Sequence, residues 1–419
     1  MEIAKEMLEG FDKGSGKRIT IDGETKNYPT YRIPLNYLIF NEKNGRIITE
    51  IAQYKALHPN FNFEEFKRND FDGYRNLLKE LVEQSSNDAK KSFYETKSNI
   101  EKNGQKEAGV ILSDGTIVDG NRRFACLLEL YQDTKDERFA TFEATWFPAP
   151  LPDDTNKQRL IKEIEFNLQY NNDPIRKYSR IASLESFYYD TLCPSTKTFN
   201  KDDYCKHTGM KSADYDSDKK VVEIMLDYLD FIRHPSEFWI IKDEELDSAL
   251  EQIAGVKFDQ QQWPKIREVI YTYLTVAKKG DVSKNVRKLI DSANKGTGLF
   301  KEFKMQFYDE ITHDDIKQLK NIMGKKFSNP NNQISSDEGT QLDKISKSVD
   351  NIFSQCQINQ QISDLESEPI TLLNQIIKQV NNLANNDSLQ QMKADQENEF
   401  IEKLWQLEEI INKIKHNFN

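Results

Sequence analysis

The sequence has no long apolar run and few of the residues that build disulfide frameworks or zinc sites. No stretch approaches the roughly 20 apolar residues that a spanning helix needs, so we expect no membrane partner. The beginning of the chain lacks the apolar core of a signal peptide, which predicts a cytoplasmic location. The four cysteines show no pairing pattern, as is typical of a reducing compartment. Cys205 and His207 form the only close Cys/His pair, so zinc is not expected.

A surplus of positive charge is lacking as well. The 58 Lys and Arg residues stand against 69 Asp and Glu residues, which gives a formal net charge of -11. Because proteins that coat DNA through its phosphates usually carry a basic surplus, this balance opposes such a role, although a local basic surface stays open. With 419 residues, of which 37% are hydrophobic, the chain is long enough for two or three domains with real cores.

The most informative stretch runs from Gly109 to Leu130. Val110–Leu112 and Ile117–Val118 have the character of two short buried strands, and Ser-Asp-Gly between them is typical of a tight hairpin turn. Apolar residues then recur at helical spacing from Phe124 onwards. The five residues Asp119 to Arg123 are therefore predicted to lie where a strand turns into the first turn of a helix.

A helix N-terminus of this composition predicts an anion site. The first-turn N–H groups have no partners within the helix, and the helix dipole favours negative charge there. Gly120 would let a ligand approach the backbone, Asn121 adds an amide, and Arg122 and Arg123 would hold phosphates. These residues form the predicted phosphate cradle.

A purely structural interpretation of the same residues stays open. Asp119 could cap the helix, and Gly120 could serve only the turn. In that case Arg122 and Arg123 would pair on the surface with acids such as Asp114 or Glu163.

At these residues the chain resembles the ParB/sulfiredoxin-like superfamily, whose phosphate motif is a strand, then Gly-x-Arg-Arg, then a helix. Two further segments continue the likeness: Tyr31–Arg46 is similar to the first box of the family, and Glu165–Ile175 is similar to the third. The three segments occur in the family's order, and the likeness covers roughly residues 30 to 190. It implies an α/β N-terminal domain, with a small mixed sheet and helices, in a prokaryotic protein.

The resemblance also implies roles for individual residues. Asn44 and Arg46 would reach the cradle from the first box, and Asn167 would bind magnesium that accompanies a nucleoside triphosphate. Gln169 would contact the phosphates, and Glu165 is the nearest carboxylate, a candidate base or metal partner. For Asn167 and Gln169, ordinary polar helix positions are an equally open interpretation.

Enzymes of the superfamily include nucleases and phosphoryl-transfer enzymes, in which Asp119 or Glu165 would act as the general base. The chain differs from the family at Ala125 and Tyr170, where arginines stand, and at Phe166, where glutamate stands. CTP specificity and hydrolysis are therefore not implied, whereas phosphate binding is.

The remainder of the chain has helical periodicity, which predicts an all-α C-terminal half. The predicted boundaries are these: a domain at 1–175 with a helical insertion at 51–95, a helical domain at 176–324, a linker at 325–341 and a bundle or oligomerisation module at 342–419. Residues 200–232 look like a helix-turn-helix, and they lie where ParB proteins carry the helix-turn-helix that binds DNA. Its acidic residues oppose a phosphate-lined groove.

These observations and the resemblance predict a switch or slow hydrolase that binds a nucleoside triphosphate, such as CTP or ATP, with magnesium. It would act on or near DNA, in partition, mobile-element or phage-defence systems. One alternative is a nuclease or phosphoryl-transfer enzyme. The other alternative is a non-catalytic protein that assembles a complex, and it rests on fold analogy alone. In either case residues 342–419 are a candidate segment for homo-oligomer formation.

Overall fold

The structure is a computed structural model that describes residues 3–21, 24–45, 47–84, 87–148, 155–170, 179–277, 282–293, 298–328, 334–365, 369–384 and 394–416. The chain divides into two compact units, Met1–Ile352 and Phe353–Asn419, called unit 1 and unit 2. Each unit is described by itself.

Unit 1 contains seven described strands in two sheets. They are β1 (Lys17–Ile21), β2 (Glu24–Tyr28), β3 (Thr30–Pro34), β4 (Ile39–Phe40), β5 (Gly109–Leu112), β6 (Thr116–Asp119) and β7 (Thr141–Phe147). β1 and β2 form an antiparallel pair, and the other five form a mixed sheet in the order β3-β7-β5-β6-β4. The prediction of a mixed α/β fold with a small N-terminal sheet is confirmed.

The predicted hairpin is present as β5 and β6, which pair antiparallel. Gly115 in its turn has a φ of +84°, and a Cβ there would lie 2.2 Å from the carbonyl oxygen of Tyr37. Only glycine fits this position without displacing the backbone. β7 runs parallel to β5, and β4 runs parallel to β6 as the last strand of the sheet.

Helices cover both faces of the mixed sheet because its central strands are apolar on both sides. Ile111 and Ile117 belong to the core that also contains Phe124 of the following helix. Val110, Leu112 and Val118 belong to a second core. The side chains of β5 thus alternate between the two cores, as the pleat of a strand requires.

The described helices of the N-terminal region are α1 (Ile48–Leu57), α2 (Phe63–Asn69), α3 (Phe71–Gln84), α4 (Asn87–Asn103), α5 (Asn121–Thr134) and α6 (Thr155–Tyr170). The insertion predicted at 51–95 is helical, and its aromatic rings pack on one another and on the core. α4 ends at Asn103, and Gly104 follows it with a φ of +74°, the left-handed conformation for which a glycine after a helix is the sequence signal.

The rest of unit 1 is helical. It contains α7 (Arg180–Phe187), a π-helical turn (Tyr188–Leu192), α8 (Lys201–Thr208), α9 (Ser212–Phe231), α10 (Phe238–Asp243), α11 (Asp247–Ala254), α12 (Trp263–Val276), α13 (Val282–Ala293), α14 (Leu299–Glu310), α15 (His313–Lys326) and the first part of α16 (Ser336–Leu365). Throughout the described ranges, no helix combines the length and the apolar character that crossing a bilayer requires.

Two segments differ from their predicted extents. Helices α15 and α16 occupy both ends of the stretch predicted as a linker at 325–341. Ile345 and Val349, predicted within a separate module at 342–419, are buried in unit 1, where Ser346 Oγ donates to the carbonyl of Val276 at 3.0 Å. The compact unit therefore extends further than the sequence pattern indicated.

Unit 2 consists of the end of α16, α17 (Pro369–Ala384) and α18 (Ala394–His416). In the 200–232 segment, α8 and α9 flank Gly209, whose φ is +69°. The helix–turn–helix order is therefore present. Asp216 and Asp218 of α9 are paired with Lys201 and Arg180, and DNA binding by this segment stays a prediction.

Candidate functional site

The strand-to-helix turn lies where the sequence predicted it. α5 begins at Asn121, and Gly120 precedes it with a φ of +103°. A Cβ at this position would lie 2.7 Å from Cζ of Phe142 and 3.2 Å from a guanidinium nitrogen of Arg123. The backbone conformation and the packing both require glycine, with or without a ligand.

Arg123 is engaged by two acids. Its Nη2 donates to Asp119 Oδ2 at 2.8 Å, and its Nη1 donates to Glu107 Oε2 at 3.1 Å. Lys17 pairs with the same oxygen of Asp119 at 3.3 Å. Burial by itself would raise the pKa of Asp119, but Arg123 and Lys17 outweigh it and hold the pKa below its ordinary value.

Arg122 points to a different neighbour. Its Nη1 donates to Oγ of Ser92, on α4, at 2.7 Å. The two guanidinium groups therefore contact separate elements rather than one shared pocket. Of the acids considered from sequence as surface partners, Asp114 pairs with Lys157 at 2.5 Å and Glu163 pairs with Arg159 at 2.8 Å.

Asn121 joins the helix N-terminus to the first box. Its side-chain Oδ1 accepts from the backbone N–H of Asn41 at 3.2 Å, and its Nδ2 donates to the carbonyl of Ile117 at 3.1 Å. Asn121 and Asn41 are both buried. The side chain therefore fixes the loop after β4 against the turn after β6, which is a positioning role.

The first and third boxes meet at Glu165. Its Oε1 accepts from Nδ2 of Asn41 at 3.3 Å and from Nδ2 of Asn44 at 3.1 Å. Asn121, Asn44 and Glu165, each named from a different segment, thus belong to one buried hydrogen-bonded network, called the three-box junction. Arg46, predicted to reach the cradle, lies outside the described residues.

A buried ion cluster continues from the junction. Lys162 Nζ lies 3.2 Å from Glu165 Oε2 and 3.5 Å from Asp190 Oδ2, and it donates to Ser186 Oγ at 3.1 Å. Burial raises the pKa of both carboxyl groups, and the proximity of Asp190 raises that of Glu165 further. Lys162 lowers both and only partly offsets the burial.

Of the predicted magnesium donors, only Glu165 has both side-chain oxygens described, and binding of magnesium stays a prediction. Both oxygens of Glu165 are engaged by amides and an ammonium group. Asn167 is half-buried and donates through Nδ2 to the carbonyl of Glu163 at 2.8 Å, and the side chain of Gln169 lies outside the described residues. Across the described ranges, no group of three or more His, Cys, Asp or Glu residues is placed to hold a metal ion.

A cavity of about 1020 Å³ adjoins the junction and the ion cluster. It follows the segment from Asn36 to Lys43, which contains the outer strand β4. Residues of α1, α2, α3, α6, α7 and the π-helical turn also line it, as do the β5–β6 turn, β6 and the segment after the π-helical turn. Its volume matches the upper end of the range for small-molecule sites. Neither Arg122 nor Arg123 borders it, whereas Asn41, Lys162 and Asp190 do.

Three of the lysines on the cavity wall have no partner of opposite charge among the described residues. Lys43, Lys55 and Lys67 border the cavity and pair with no carboxylate in the part of the chain that the structure describes. Lys55 lies 4.7 Å from the ring centroid of Phe63, and Lys67 lies 5.4 Å from that of Tyr74.

Most acids of the wall are already engaged. Glu42 accepts from the Tyr74 hydroxyl at 2.5 Å, Asp114 pairs with Lys157, and Asp190 pairs with Lys162. The exposed Glu64 forms no ion pair with the described residues. Because a neutral hydroxyl does not neutralise a carboxylate, Glu42 and Glu64 have no cationic partner among the described residues, and they stand against the three lysines without a carboxylate partner.

Glu185 is the most deeply buried acid of the wall. Its Oε2 accepts from Thr49 Oγ1 at 2.5 Å, and its Oε1 has no hydrogen-bond partner within the described ranges. Burial, and more weakly Glu50 and Glu237, raise its pKa to about 8, against the smaller lowering effects of Thr49 and Lys242. This raised pKa favours the protonated form of the carboxyl at neutral pH.

Sequence reasoning missed several residues of this site. Asn41 lay within the first box without being named, and its position three residues before Asn44 is compatible with a shared loop. Lys162, Glu185 and Asp190 gave no sequence signal, because charged residues in helices are usually solvated. Their burial depends on how α6 and α7 pack, which only the fold reveals.

Comparisons of this chain with protein-family models, with curated proteins and with solved structures return no match.

Proposed function

We propose that this protein binds a nucleotide in the cavity beside the three-box junction. The observation that carries the proposal is the set of Lys43, Lys55 and Lys67, three ammonium groups without carboxylate partners in the described chain, on one cavity of nucleotide-compatible size. Phosphate groups are the ligands that such a set of point charges would neutralise.

Aromatic rings supply the second part of the argument. Tyr37, Phe71 and Tyr189 border the same cavity as the lysines. A nucleobase offers a flat face that stacks on aromatic side chains regardless of its identity, while lysines attract the phosphates. A nucleotide carries both features, whereas an inorganic anion carries only one.

The junction supports the lysines indirectly. Asn41 accepts through Oδ1 from the backbone N–H of Lys43 at 3.0 Å, and it is itself held by Asn121 and Glu165. The network therefore fixes the loop that presents Lys43. In this proposal the three resembling segments build the binding loop, while Arg122 and Arg123 hold α5 in place.

The geometry favours binding over hydrolysis. Asp119 is held ionised by Arg123 and Lys17, with a pKa below its ordinary value, so it is a weak proton acceptor. Glu165 is enclosed by amides and Lys162. We therefore propose a nucleotide-binding switch rather than a nuclease or phosphoryl-transfer enzyme.

The test is thermal stabilisation of three proteins by ATP, GTP, CTP and tripolyphosphate. We expect a nucleotide at 100-fold excess over its Kd to stabilise the wild type by about 2.7 kcal/mol, or a few degrees in Tm. The triple variant Lys43→Ala/Lys55→Ala/Lys67→Ala should lose this shift. The exposed pair Lys301→Ala/Lys317→Ala, which keeps the cavity, should retain it.

Any of three outcomes contradicts the proposal, and the first two concern the response to nucleotides. One is a wild-type protein whose Tm no nucleotide changes. The other is a triple variant that responds as fully as the wild type while Arg122→Ala/Arg123→Ala does not respond, because that result places the phosphates at the cradle instead. A larger response to tripolyphosphate than to any nucleotide indicates an anion site without base recognition and also contradicts it.

A further inference from the structure

Polar contacts attach the first turns of α1 to the helical region of unit 1. Thr49 Oγ1 donates to Oε2 of Glu185, on α7, at 2.5 Å, and Lys242, on α10, pairs with Glu50. Thr49, Glu50 and Glu185 are all buried, and Glu185 is 0% exposed. The contact between α1 and α7 therefore depends on a carboxyl group that solvent does not reach.

The same helix forms one part of the cavity wall. Ile51 and Lys55 of α1 border the cavity, and so does Glu185 of α7. Lys55 is one of the three lysines on which the proposed nucleotide site depends. The position of α1 against α7 therefore decides whether Lys55 lies on the cavity.

The surroundings of Glu185 disfavour a negative charge on it. Its Oε1 has no hydrogen-bond partner within the described ranges. Burial, followed by Glu50 of α1 and by Glu237, the residue before α10, raises the pKa of Glu185 to about 8. Lys242 opposes them with a smaller effect, and it already pairs with Glu50. The carboxyl group thus has two acids near it and one shared cation.

Other ionisable groups near Glu185 in the described chain stay neutral or are engaged elsewhere. Burial, and after it the proximity of Glu185, raises the pKa of Tyr189 on the π-helical turn, so this hydroxyl stays uncharged. Lys162 of α6 donates to Ser186, the next residue along α7, but it belongs to the buried ion cluster. An ionised Glu185 is therefore a buried charge without a cation of its own.

Ionisation of Glu185 favours the separation of α1 from α7. A buried charge of this kind is relieved when the carboxylate reaches water, and α1 covers it through Thr49. α1 has ten residues, Ile48–Leu57. A helix of this length is marginal in water on its own, so a detached α1 should also lose its backbone hydrogen bonds.

We propose that Glu185, in its protonated form, is the positioning residue that keeps α1 and Lys55 on the cavity, and that loss of its proton opens α1 locally. The part played by Lys55 rests on the proposed nucleotide site, whereas the opening of α1 does not. The protein holds the site assembled at neutral pH and loosens it in alkaline solution. A nucleotide that needs Lys55 binds the closed form and opposes the opening.

The size of the response follows from proton linkage. The closed form has a pKa of about 8 at Glu185, and an opened form that exposes the carboxyl group returns to the ordinary value of 4.5. With these values the opening constant of α1 rises by about 20-fold between pH 6.5 and 8.5. The rise then levels off, because the carboxyl group is ionised in both forms.

The test is hydrogen exchange of the backbone amides of α1, followed by peptide mass spectrometry of the full chain at pH 6.5 and 8.5. After correction for the intrinsic exchange rate, the opening constant should rise by about 20-fold in the wild type. Glu185→Gln, which keeps an oxygen for Thr49 but cannot ionise, should show no rise. Glu223→Gln, at an exposed position of α9, should behave as the wild type does.

The amides of α5, followed in the same wild-type samples, separate local opening from global unfolding without any variant. The opening constant of α1 at pH 8.5 should exceed that of α5. Equal constants would mean that α1 opens only when the whole unit unfolds, and they would overturn the proposal. A wild-type α1 constant that does not change with pH, or a Glu185→Gln variant with the full rise, would overturn it as well.

Nucleotides distinguish this role of Glu185 from the proposed nucleotide site. ATP, GTP and CTP are each added at pH 8.5, and one that binds at 100 times its Kd should lower the opening constant of α1 by about 100-fold. A wild-type pH response that none of the three nucleotides reduces would contradict the nucleotide site while supporting the role of Glu185 at α1.

Discussion

Replacing Glu185 by glutamine should change how stability depends on pH. The side chain is fully buried, and its pKa lies near 8 rather than at the ordinary value of 4.5. Between these two values the folded protein keeps the carboxyl protonated, while the unfolded chain releases the proton. Because the folded state binds more protons, the free energy of unfolding falls as the pH rises through this window.

The size of the effect follows from the pKa difference. One pKa unit corresponds to about 1.4 kcal/mol, so the difference at Glu185 amounts to about 3–5 kcal/mol that is present below pH 4.5 and lost by pH 8. Glutamine has nearly the same shape and can still accept from Thr49, but it does not titrate. The Glu185→Gln variant should therefore lack this loss.

The assay is urea unfolding of the wild type and Glu185→Gln at pH 5.5, 7 and 8.5, followed by intrinsic fluorescence. We expect the variant to gain on the wild type as the pH rises, and to be the more stable protein by a few kcal/mol at pH 8.5. Equal pH slopes for the two proteins, or a variant that loses ground at high pH, would refute the reasoning about Glu185.

Two further substitutions test the junction and the turn. Asn121→Ala removes two buried hydrogen bonds and should lower the free energy of unfolding by about 2–3 kcal/mol. As a control, Asn103→Ala on the exposed end of α4 should change it by less than about 0.5 kcal/mol. Similar losses in both variants would contradict the positioning role of Asn121. Gly120→Ala should lower the free energy of unfolding by about 2 kcal/mol or more, because the new Cβ meets Phe142. Gly209 also has a positive φ but has open space around it, so Gly209→Ala should lower the free energy of unfolding by only about 1 kcal/mol. Equal losses measured by urea unfolding would show that strain alone acts at Gly120.

The local elements of the N-terminal domain were predictable because their signals are short-range. Ser113, Asp114 and Gly115 specify the hairpin turn within three residues, and helical spacing after Gly120 specifies α5. Gly104 marks the end of α4 for the same reason. Each of these features depends on neighbours in the sequence.

The strand order was not predictable from such signals. β7 lies between β3 and β5, and the two-residue strand β4 joins the sheet parallel to β6. These pairings connect segments far apart in the chain, and their hydrophobic patterns do not distinguish one neighbour from another.

Sequence reasoning named three members of the three-box junction, and their functional roles stay predictions. Asn44, Asn121 and Glu165 were named from three separate segments, and the structure brings them into one network. Arg122 and Arg123 were expected to act together, but Ser92 and Glu107 draw them apart, and both partners come from outside the motif. Side-chain partners supplied by the helical insertion and by the loop after it cannot be inferred from the motif itself.

The most direct test of the central claim maps where a nucleotide binds. Photoaffinity labelling with azido-ATP and azido-CTP, followed by peptide mass spectrometry, should label peptides that carry Tyr37, Phe71 or Tyr189, and excess unlabelled nucleotide should suppress the labelling. The labelling should fall in Lys43→Ala/Lys55→Ala/Lys67→Ala. Suppressible label confined to other peptides, such as the one that carries Arg122 and Arg123, or no suppressible label at all, would contradict a nucleotide site in this cavity.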